Sequence, residues 1–485
     1  MKRVIFFVFL IFISCTHEKI SENQLLRVSE NSRYLVKKDG SPFLYLGDTA
    51  WELFHRLNRE EAVEYLENRA EKGFTVIQAV VLAEQDGLGT PNAYGELPLI
   101  DLDPTQPNEK YFEHVDYIVN KAEDLGLVVG MLPTWGDKVT AEHGGGSVIF
   151  YAENAGIYGE FLGKRYVDKP IIWILGGDRF VTNLEVLEIW RAMAKGLRKG
   201  DEGSHLITFH PRGGISSSAW LHNEEWLDFN LYQSGHANKF NPVYEFAEND
   251  YLLQPTKPCI DGEPAYEDIQ VKFWDYLDWG NPLRVPVHVL DNDLLIKDKE
   301  YFKEGIFTDY DVRVHAYWNL LSGACGYTYG NNAIWQMYKK GESFAIPCLY
   351  DWRDSMDRPG ADDIRHIRAL FESRLFSKLI PDQSIIYGLN YRNDNHIRAA
   401  CANDGSFMVI YLAKGQDVQV VMDKMTGEKS IAWWYNPRDG EVYKIGEFDS
   451  TGISTYSPPT NGIGEDWVLV IDDAAKGYAA PGMEL

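Results

Sequence analysis

Short apolar runs alternate with amphipathic stretches from about residue 43 to residue 370, and this alternation constrains the fold more than any other feature. The runs have the length and β-branched content of buried strands: Phe43–Leu46, Thr75–Leu82, Leu127–Leu132, Pro170–Leu175, Leu206–Phe209, Phe229–Tyr232, Pro258–Ile260 and Ala324–Tyr329. Helical patterns follow most of them: Arg59–Lys72, Tyr111–Leu125, Val148–Arg165, Leu184–Lys199, Asn241–Tyr251, Asp311–Leu321 and Ala361–Leu370. Eight such units predict an α/β chain folded as a (β/α)8 TIM barrel.

The pattern changes after Ser377, where short strand-like runs are separated by Asn-Asp, Asp-Gly and Lys-Gly turns. These runs are Ser384–Leu389, His396–Cys401, Phe407–Leu412, Val418–Met422, Ser430–Tyr435 and Trp467–Ile471. Such spacing is typical of a small antiparallel β-sandwich. We therefore expect a barrel over residues 26–376 and a β-sandwich over residues 377–485. No linker rich in Pro, Gly or Ser divides them, which predicts that the sandwich packs on the barrel.

The N-terminus has the pattern of an export signal. Lys2 and Arg3 precede an apolar run that is too short to span a bilayer, and Ser14-Cys15 follows it. A small residue directly before a cysteine is typical of the cleavage site of bacterial lipoproteins. We expect a signal peptide over residues 1–14, lipidation of Cys15 and a polar tether over residues 15–25. This predicts a lipoprotein at the cell surface or on the periplasmic side of the outer membrane; the alternative is plain secretion with an incidental cysteine.

Charge and motif content exclude several classes of function. The net charge of −25 argues against nucleic acid or anionic membrane surfaces as partners, because both need a basic face. Five cysteines without CxxC spacing indicate neither a disulfide framework nor a cysteine zinc site. No phosphate-binding loop or dinucleotide fingerprint occurs, so no cofactor or metal is predicted. The stretch Asp291–Asp293 favours a solvated acidic loop over a calcium site, and the oligomeric state is left open.

Two acidic residues stand out because each follows a short apolar stretch and a glycine. Asp178 ends the run that begins at Ile171, and Glu263 ends the run that begins at Pro258. A carboxylate at the tip of a buried strand is costly unless it is solvated, paired or used for chemistry. On strands four and seven of one barrel they would face a common cleft, where glycoside hydrolysis needs one acid and one nucleophile or base. Their separation, which the sequence does not give, decides between retention and inversion.

Polar and aromatic side chains recur at the other strand ends, as a polyhydroxylated ligand requires. The candidate substrate-binding residues are Asp48, Trp51, Gln85, Trp135, Arg179, His210, Tyr232, Tyr329 and Trp335. Each also has a structural interpretation: Asp48 precedes helix-start residues and suits a cap, and the tryptophans suit loop packing. His143, in a glycine-rich loop, is interpreted as structural.

Four segments resemble the apiosidase-type barrels of glycoside hydrolase family 140: Gly47–Trp51, Trp173–Arg179, Asp261–Pro264 and Gly323–Gly330. The resemblance extends over roughly residues 26 to 480 and includes the β-rich C-terminal domain. It implies that Asp178 is the acid/base and Glu263 the nucleophile. It also implies release of apiose from side chains of rhamnogalacturonan II by a lipoprotein or secreted enzyme of pectin-degrading Bacteroidota.

The sequence therefore predicts a retaining exo-glycosidase that acts on oligosaccharides or polysaccharides of plant cell-wall pectin. Two alternatives remain. One is the same chemistry on another glycan, as an arabinofuranosidase or endo-glycanase. The other is a surface glycan-binding lipoprotein whose barrel has no catalytic activity.

Overall fold

The computed structural model describes residues 25–142, 147–275 and 303–483. The expected signal peptide, the lipidation residue Cys15, His143 and the acidic stretch Asp291–Asp293 lie outside these ranges. Among the residues that are described, no helix is long and apolar enough to cross a membrane.

Eight parallel strands form the barrel, as predicted. In chain order they are Tyr45–Thr49, Val76–Leu82, Val128–Thr134, Ile171–Gly176, Ile207–His210, Asn230–Gln233, Cys259–Asp261 and Gly326–Tyr329. Each lies within three residues of its predicted position. Most extend further toward the C-terminus than predicted, because strand geometry continues from the apolar run into the polar residues that follow it.

The barrel sheet has the strand order five-four-three-two-one-eight-seven-six, with the short strand Ile215–Ser216 antiparallel to strand six. Strands five and six close the barrel through individual hydrogen bonds. The N–H of Asp228 donates to the carbonyl of Ile207 at 2.9 Å, and the Thr208 hydroxyl donates to the carbonyl of Phe229 at 2.7 Å. The carboxyl ends of all eight strands therefore surround one cleft.

The helices cover the outside of the barrel. The longer ones are Arg59–Glu71, Glu109–Asp124, Ala152–Arg165, Leu184–Gly200, Tyr244–Tyr251, Asp309–Leu320 and Pro359–Ser373, which confirms all seven predictions. In the loops that the structure describes, four single-turn helices occur: Leu53–Arg56, Ser218–Leu221, Asn332–Trp335 and Trp352–Ser355. Local capping sets the boundaries: the Asn58 side chain accepts the Glu61 N–H, and the Glu61 side chain accepts the Asn58 N–H.

Within the described residues, two β-sheets and a two-stranded ribbon accompany the barrel. An unpredicted antiparallel sheet precedes it, formed by Leu26–Val28, Leu35–Lys37 and Pro42–Phe43. The C-terminal sheet contains Leu379–Pro381, Ile397–Ala402, Phe407–Leu412, Lys429–Tyr435, Val442–Asp449 and Trp467–Asp473, and a separate ribbon pairs Val418–Val421 with Ile453–Tyr456. The predicted strand Ser384–Leu389 is wrong. Asp382 caps a 3-10 turn over Gln383–Ile385 by accepting the Ser384 N–H, which starts a turn where extended pairing was expected.

The C-terminal sheet packs on the barrel, as the missing linker predicts. Alternate residues of one strand take opposite sides: Phe407, Val409 and Tyr411 join the barrel's apolar core, whereas Met408, Ile410 and Leu412 pack toward the ribbon. Arg313 crosses the interface and contacts Asp466 at 3.1 Å. The buried interface therefore fixes the two domains against each other.

Candidate active site

Three consecutive residues with left-handed backbone present Asp178 at the end of barrel strand four. The φ angles are +90° at Gly176, +116° at Gly177 and +50° at Asp178. A Cβ on Gly177 would lie 2.8 Å from the Trp135 ring, and one on Gly176 would lie 2.2 Å from the His210 carbonyl oxygen. Only glycine fits these two positions, so the Gly-Gly-Asp sequence is a packing requirement that aims one carboxyl group into the cleft.

Gly177→Ala is expected to lower the free energy of unfolding by about 1–3 kcal/mol, because the new methyl group meets both a strained backbone and the Trp135 ring. Chemical denaturation measures this loss. Gly203→Ala is the matched control, since Gly203 also has a positive φ of 74° but has no atom within 4 Å of the point where the methyl group would stand. Equal losses in the two variants would show that the Trp135 contact does not constrain this turn.

Glu263 lies across the cleft, just beyond barrel strand seven. A Cβ on the preceding Gly262 would approach the Leu231 side chain to 2.4 Å, and the Gly262 carbonyl accepts a hydrogen bond from Gln78. Glycine therefore lets strand seven pack closely against strand six. Glu263 itself is only 6% exposed, so its carboxylate depends on protein partners for solvation.

Two histidines lie next to Glu263, one beside each of its carboxylate oxygens. The Nε2 atom of His236 lies 3.3 Å from Oε1. The Nε2 atom of His210 lies 2.9 Å from Oε2, but this contact is not a hydrogen bond, because Oε2 lies off the direction of the His210 N–H. The Nδ1 atom of His236 accepts the Tyr266 N–H at 3.4 Å, and the Nδ1 atom of His210 accepts the Asp178 N–H at 3.3 Å. Because each Nδ1 accepts a hydrogen bond, the proton of the neutral ring sits on Nε2, the nitrogen on the Glu263 side.

The pKa values of Asp178 and Glu263 are shifted in opposite directions. Burial raises the pKa of Glu263, but the neighbouring imidazoles of His210 and His236 outweigh this effect and bring the value to about 2. Burial and the charge of Glu263 raise the pKa of Asp178, while Arg179 and His210 oppose the rise. Asp178 thus holds a proton at a pH where Glu263 is ionised. This is the division that an acid and a nucleophile require.

A third carboxyl group, Glu84, lies near Asp178 after strand two. Burial raises its pKa to about 8, with further increases from Asp137 and Asp178 and an opposing effect from Arg179. Asp137 is itself paired with buried Lys138 at 2.8 Å. Arg179 donates to the backbone carbonyl of Asp178 at 2.9 Å. This side of the cleft is therefore a dense polar surface next to Asp178.

An aromatic wall borders the pair. The rings of Trp51, Trp135 and His210 lie 5.3–5.5 Å from one another between centroids. Trp51 donates its indole N–H to the Tyr266 hydroxyl at 2.9 Å, and burial and the charge of Glu263 raise the pKa of Tyr266 well above its ordinary value. The indole N–H of Trp135 is buried and has no acceptor within the described residues.

Asp48 and Tyr329, both expected to bind substrate, lie on the outer side of the barrel wall. They are neighbours in register, so their side chains share one face of the sheet. The Asp48 carboxylate contacts Arg69 at 2.5 Å and accepts the Tyr65 hydroxyl at 2.6 Å, and both partners lie on a covering helix. Tyr329 donates to Glu267 at 2.6 Å. Their assignment to substrate binding is wrong, because both groups serve the contact between strands and helices.

Tyr232, which was also expected to bind substrate, likewise lies on the outer side of the barrel wall. It pairs in register with Asp261, and both side chains hydrogen-bond Asn319 of the helix Asp309–Leu320, at 2.6 and 3.0 Å. Successive residues of a barrel strand alternate between the interior and the helix layer. The strand-end position alone therefore does not select cleft residues.

Two further candidates lie near the strand ends but do not form open platforms. Gln85 is partly exposed on the loop after strand two, where its backbone N–H donates to Glu52 at 3.0 Å. Trp335 is 3% exposed, and its indole N–H points to Asn332 at 3.3 Å.

His236, Tyr266 and Glu84 complete the site but were not among the residues predicted for it. Glu84 sits at a strand end and carries a recognisable signal in the sequence. His236 and Tyr266 lie in the loops that follow strands six and seven, where the direction of the loop decides which side chains turn inward. Across residues 25–142, 147–275 and 303–483, no group of three or more His, Cys, Asp or Glu side chains is placed to hold a metal ion.

Comparisons with known proteins identify the families and solved structures that this chain resembles. Residues 29–378 match a family described as the apiosidase-like catalytic domain, and residues 380–472 match one described as a proposed collagen-binding domain of a collagenase. A solved structure described as a glycoside hydrolase is 34% identical, with a TM-score of 0.82, and the match covers 94% of this chain and 98% of that one. A Bacteroides vulgatus structure described as a family 5 glycoside hydrolase is 32% identical, with a TM-score of 0.81 and coverage of 94% and 95%. No curated protein matches the chain.

Proposed function

This chain belongs to the apiosidase-like glycoside hydrolases, and from that premise we propose that it is a retaining, exo-acting glycosidase of pectin breakdown. Its substrate is the pentose apiose at the ends of rhamnogalacturonan II side chains. Asp178 is the acid/base and Glu263 is the nucleophile. The observation that supports these roles best is that two carboxyl groups in one cleft have pKa values shifted in opposite directions, upward for Asp178 and downward for Glu263.

In the first step the Asp178 proton passes to the glycosidic oxygen as the bond from that oxygen to the anomeric carbon breaks. A Glu263 oxygen attacks the anomeric carbon from the opposite face and forms an ester with the sugar. The histidine contacts keep Glu263 ionised for this attack. Trp135 and the polar groups around Arg179 are placed to hold the sugar hydroxyls.

In the second step the Asp178 carboxylate takes a proton from water, and the resulting hydroxide attacks the anomeric carbon. The ester bond to Glu263 breaks, its electron pair returns to the carboxylate, and Asp178 is again protonated. Two displacements at one carbon restore the original configuration. NMR of the fresh product is expected to show the same anomer as the substrate.

Hydrolysis of apiose-bearing pectic fragments, with arabinofuranosides as the comparison, tests the substrate. We expect single apiose units to appear from the former and no turnover of the latter. Turnover of arabinofuranosides alone would replace apiose by arabinose, and release of longer fragments would indicate an endo-acting enzyme. Binding of pectic fragments without any hydrolysis would support the non-catalytic alternative.

The contact between His236 and Glu263 predicts that His236→Asn and His236→Gln differ in the acidic limb of their pH profiles. His236→Asn keeps an acceptor near the Nδ1 position for the Tyr266 N–H but loses the donor to Glu263. The pKa of Glu263 then rises, so Glu263 becomes protonated at a higher pH than it does in the wild type. We expect kcat/KM to fall by about 10- to 100-fold at acidic pH and the acidic limb of the pH profile to move upward.

His236→Gln is the matched control, because its amide N–H replaces the Nε2 donor while the acceptor for Tyr266 is lost. We expect its acidic limb to remain near that of the wild type. A displaced limb in the glutamine variant and an unmoved one in the asparagine variant would show that the backbone contact, not the donor, is what matters.

We propose in addition that the enzyme is exported and lipid-anchored. The positive residues Lys2 and Arg3, the apolar run and the Ser14-Cys15 pair support this proposal. Labelled fatty acid is expected to be incorporated into the native protein and not into a Cys15→Ser variant; release of the unlabelled native protein into the medium would indicate plain secretion.

A further inference from the structure

A cavity of about 450 Å³ lies between the barrel and the C-terminal domain. The barrel contributes the loop after strand six and one side of the helix Asp309–Leu320. The C-terminal domain contributes Asp394, Lys414 and Ile463, which lie at one end of its sheet. Sites for small molecules have volumes of roughly 300–1,000 Å³. The cavity is therefore large enough for a small ligand, and the described residues that line it include none of the residues of the catalytic cleft.

The walls of the cavity are mainly apolar. The rings of Phe240 and Trp318 meet edge to face, with 5.8 Å between their centroids. Tyr310 adds a third ring, and its hydroxyl group donates to the carbonyl of Ala413 in the C-terminal domain at 2.9 Å. Phe240 is 36% exposed and Ile463 is 75% exposed, so this apolar surface can be reached from solvent. A ligand with one face free of polar groups would bury that face against the rings.

The charged groups of the cavity cancel one another. Lys239 pairs with Asp311, and Lys414 contacts Asp394 at 2.5 Å. Each of these cations therefore already has a carboxylate partner. The whole chain carries a net charge of −25, which repels anionic ligands. A neutral ligand fits this cavity better than a charged one.

His315 is a polar group of the cavity that lacks a partner. Its side chain is 2% exposed, and its Nδ1 atom has no hydrogen-bond partner. Burial lowers the pKa of His315 to about 4, so the ring is neutral near pH 7, with one nitrogen that donates and one that accepts. A buried polar atom without a partner destabilises the folded chain unless a bound group satisfies it. A ligand hydroxyl group would do so, whereas a purely apolar ligand would not.

We propose that this cavity binds a neutral sugar ring of a glycan chain, with the apolar face of the sugar against Phe240 and Tyr310 and a hydroxyl group on His315. A sugar ring combines a C–H face with hydroxyl groups along its edge, as the walls and the histidine require. The helix Asp309–Leu320 connects strand seven to strand eight, so its first turn lies near the carboxyl ends of the strands. The site is therefore at the catalytic end of the barrel, where it would hold a part of the glycan remote from the cleaved bond.

Titration calorimetry with three neutral disaccharides, galactobiose, arabinobiose and cellobiose, tests the cavity. We expect at least one of them to bind the wild type. Phe240→Ala is expected to weaken that binding by about 10-fold or more, because it removes an aromatic wall. Val314→Phe is expected to abolish it, because the larger side chain fills the cavity. No binding of any disaccharide, or equal binding by the wild type and both variants, would overturn the proposal.

Tyr117→Ala is the matched control for Phe240→Ala. Tyr117 is 38% exposed, close to the 36% of Phe240, but it lies on the helix Glu109–Asp124, between strands two and three. We expect this variant to bind the disaccharide as the wild type does. Digalacturonate is the charged probe, and Phe240→Ala is expected to leave any binding of it unchanged. A larger loss for digalacturonate than for the neutral disaccharide would contradict a neutral ligand.

His315→Leu tests the hydrogen bond to the sugar. It removes a buried nitrogen that has no partner, so we expect the free energy of unfolding not to fall while disaccharide binding weakens by about 10-fold. Chemical denaturation and calorimetry measure the two effects. A loss of stability with unchanged binding would limit His315 to a structural role and contradict its contact with the ligand.

The same titration with Glu263→Gln separates this site from the proposed function. We expect the disaccharide to bind this variant as it binds the wild type, because Glu263 does not line the cavity. Loss of binding in Glu263→Gln would place the disaccharide in the catalytic cleft and overturn the proposal. Absence of hydrolysis by the wild type, together with disaccharide binding that depends on Phe240, would contradict the proposed function and keep the cavity site.

Discussion

Glu263→Gln is expected to lower kcat by on the order of 10⁴-fold or more, because glutamine cannot form the glycosyl ester. The amide has nearly the same shape as the carboxylate but is a far weaker nucleophile. It also reorganises the contacts with His210 and His236, since the Nε2 atoms of both rings lie beside the oxygens of Glu263. Steady-state kinetics on the natural substrate and on an aryl glycoside measure the loss.

Asp261→Asn is the matched control for this variant. Asp261 is also buried and lies two residues before Glu263, but its carboxyl group contacts Ser234 and Asn319 in the barrel wall. Burial raises its pKa to about 7, and an amide of the same shape replaces it with the loss of one hydrogen bond, from the Ser234 N–H to Oδ1. We expect this control to keep most activity. A larger loss in Asp261→Asn than in Glu263→Gln would remove Glu263 from the nucleophile role.

Asp178→Asn is expected to lower kcat by about 10²- to 10⁴-fold on sugar leaving groups, since these need a proton to depart. Asparagine tolerates the φ of +50° at this position, so the turn and the fold are expected to persist. On an aryl glycoside with a good leaving group, the first step needs no acid, and its rate is expected to change far less. Equal losses of kcat/KM, which reports the first step, on both kinds of substrate would contradict the acid role.

The pH profile provides a second readout for Asp178. Its pKa is raised, and in the proposed mechanism its protonated form is the active one in the first step. Activity of the wild type is therefore expected to fall as the pH rises through this pKa, and to fall at low pH as Glu263, with a pKa of about 2, becomes protonated. The alkaline fall is expected to disappear in Asp178→Asn; its persistence would assign that limb to another group.

Much of the barrel is predictable because buried parallel strands are nearly continuous apolar runs. Val76–Leu82 and Ile171–Gly176, which are buried along their full length, show this clearly. The strand Val442–Asp449 was not predicted, since it is an exposed edge strand with charged residues and gives no apolar signal. This strand is defined by its pairing with Lys429–Tyr435. Such pairing is a non-local interaction, which the local sequence pattern does not predict.

The site was only partly predictable for a different reason. A strand end places a residue at the rim, but the alternation of side chains decides whether it turns into the cleft or toward the helices. Asp48 and Tyr329 turn outward and are held by Arg69 and Glu267. His236 turns inward from a loop with no periodic pattern. The sequence therefore identifies Asp178 and Glu263 by their glycine-preceded positions, and the three-dimensional contacts are needed for the residues around them.

Trapping the glycosyl-enzyme tests the proposed roles of both residues in one measurement. Asp178→Asn is mixed with an aryl glycoside, so that the first step proceeds while the second lacks its base, and the protein is analysed by mass spectrometry. The account predicts one glycosyl unit on the peptide that contains Glu263. A glycosyl unit on another carboxyl group such as Glu84, or turnover with no covalent adduct at any time, would contradict it.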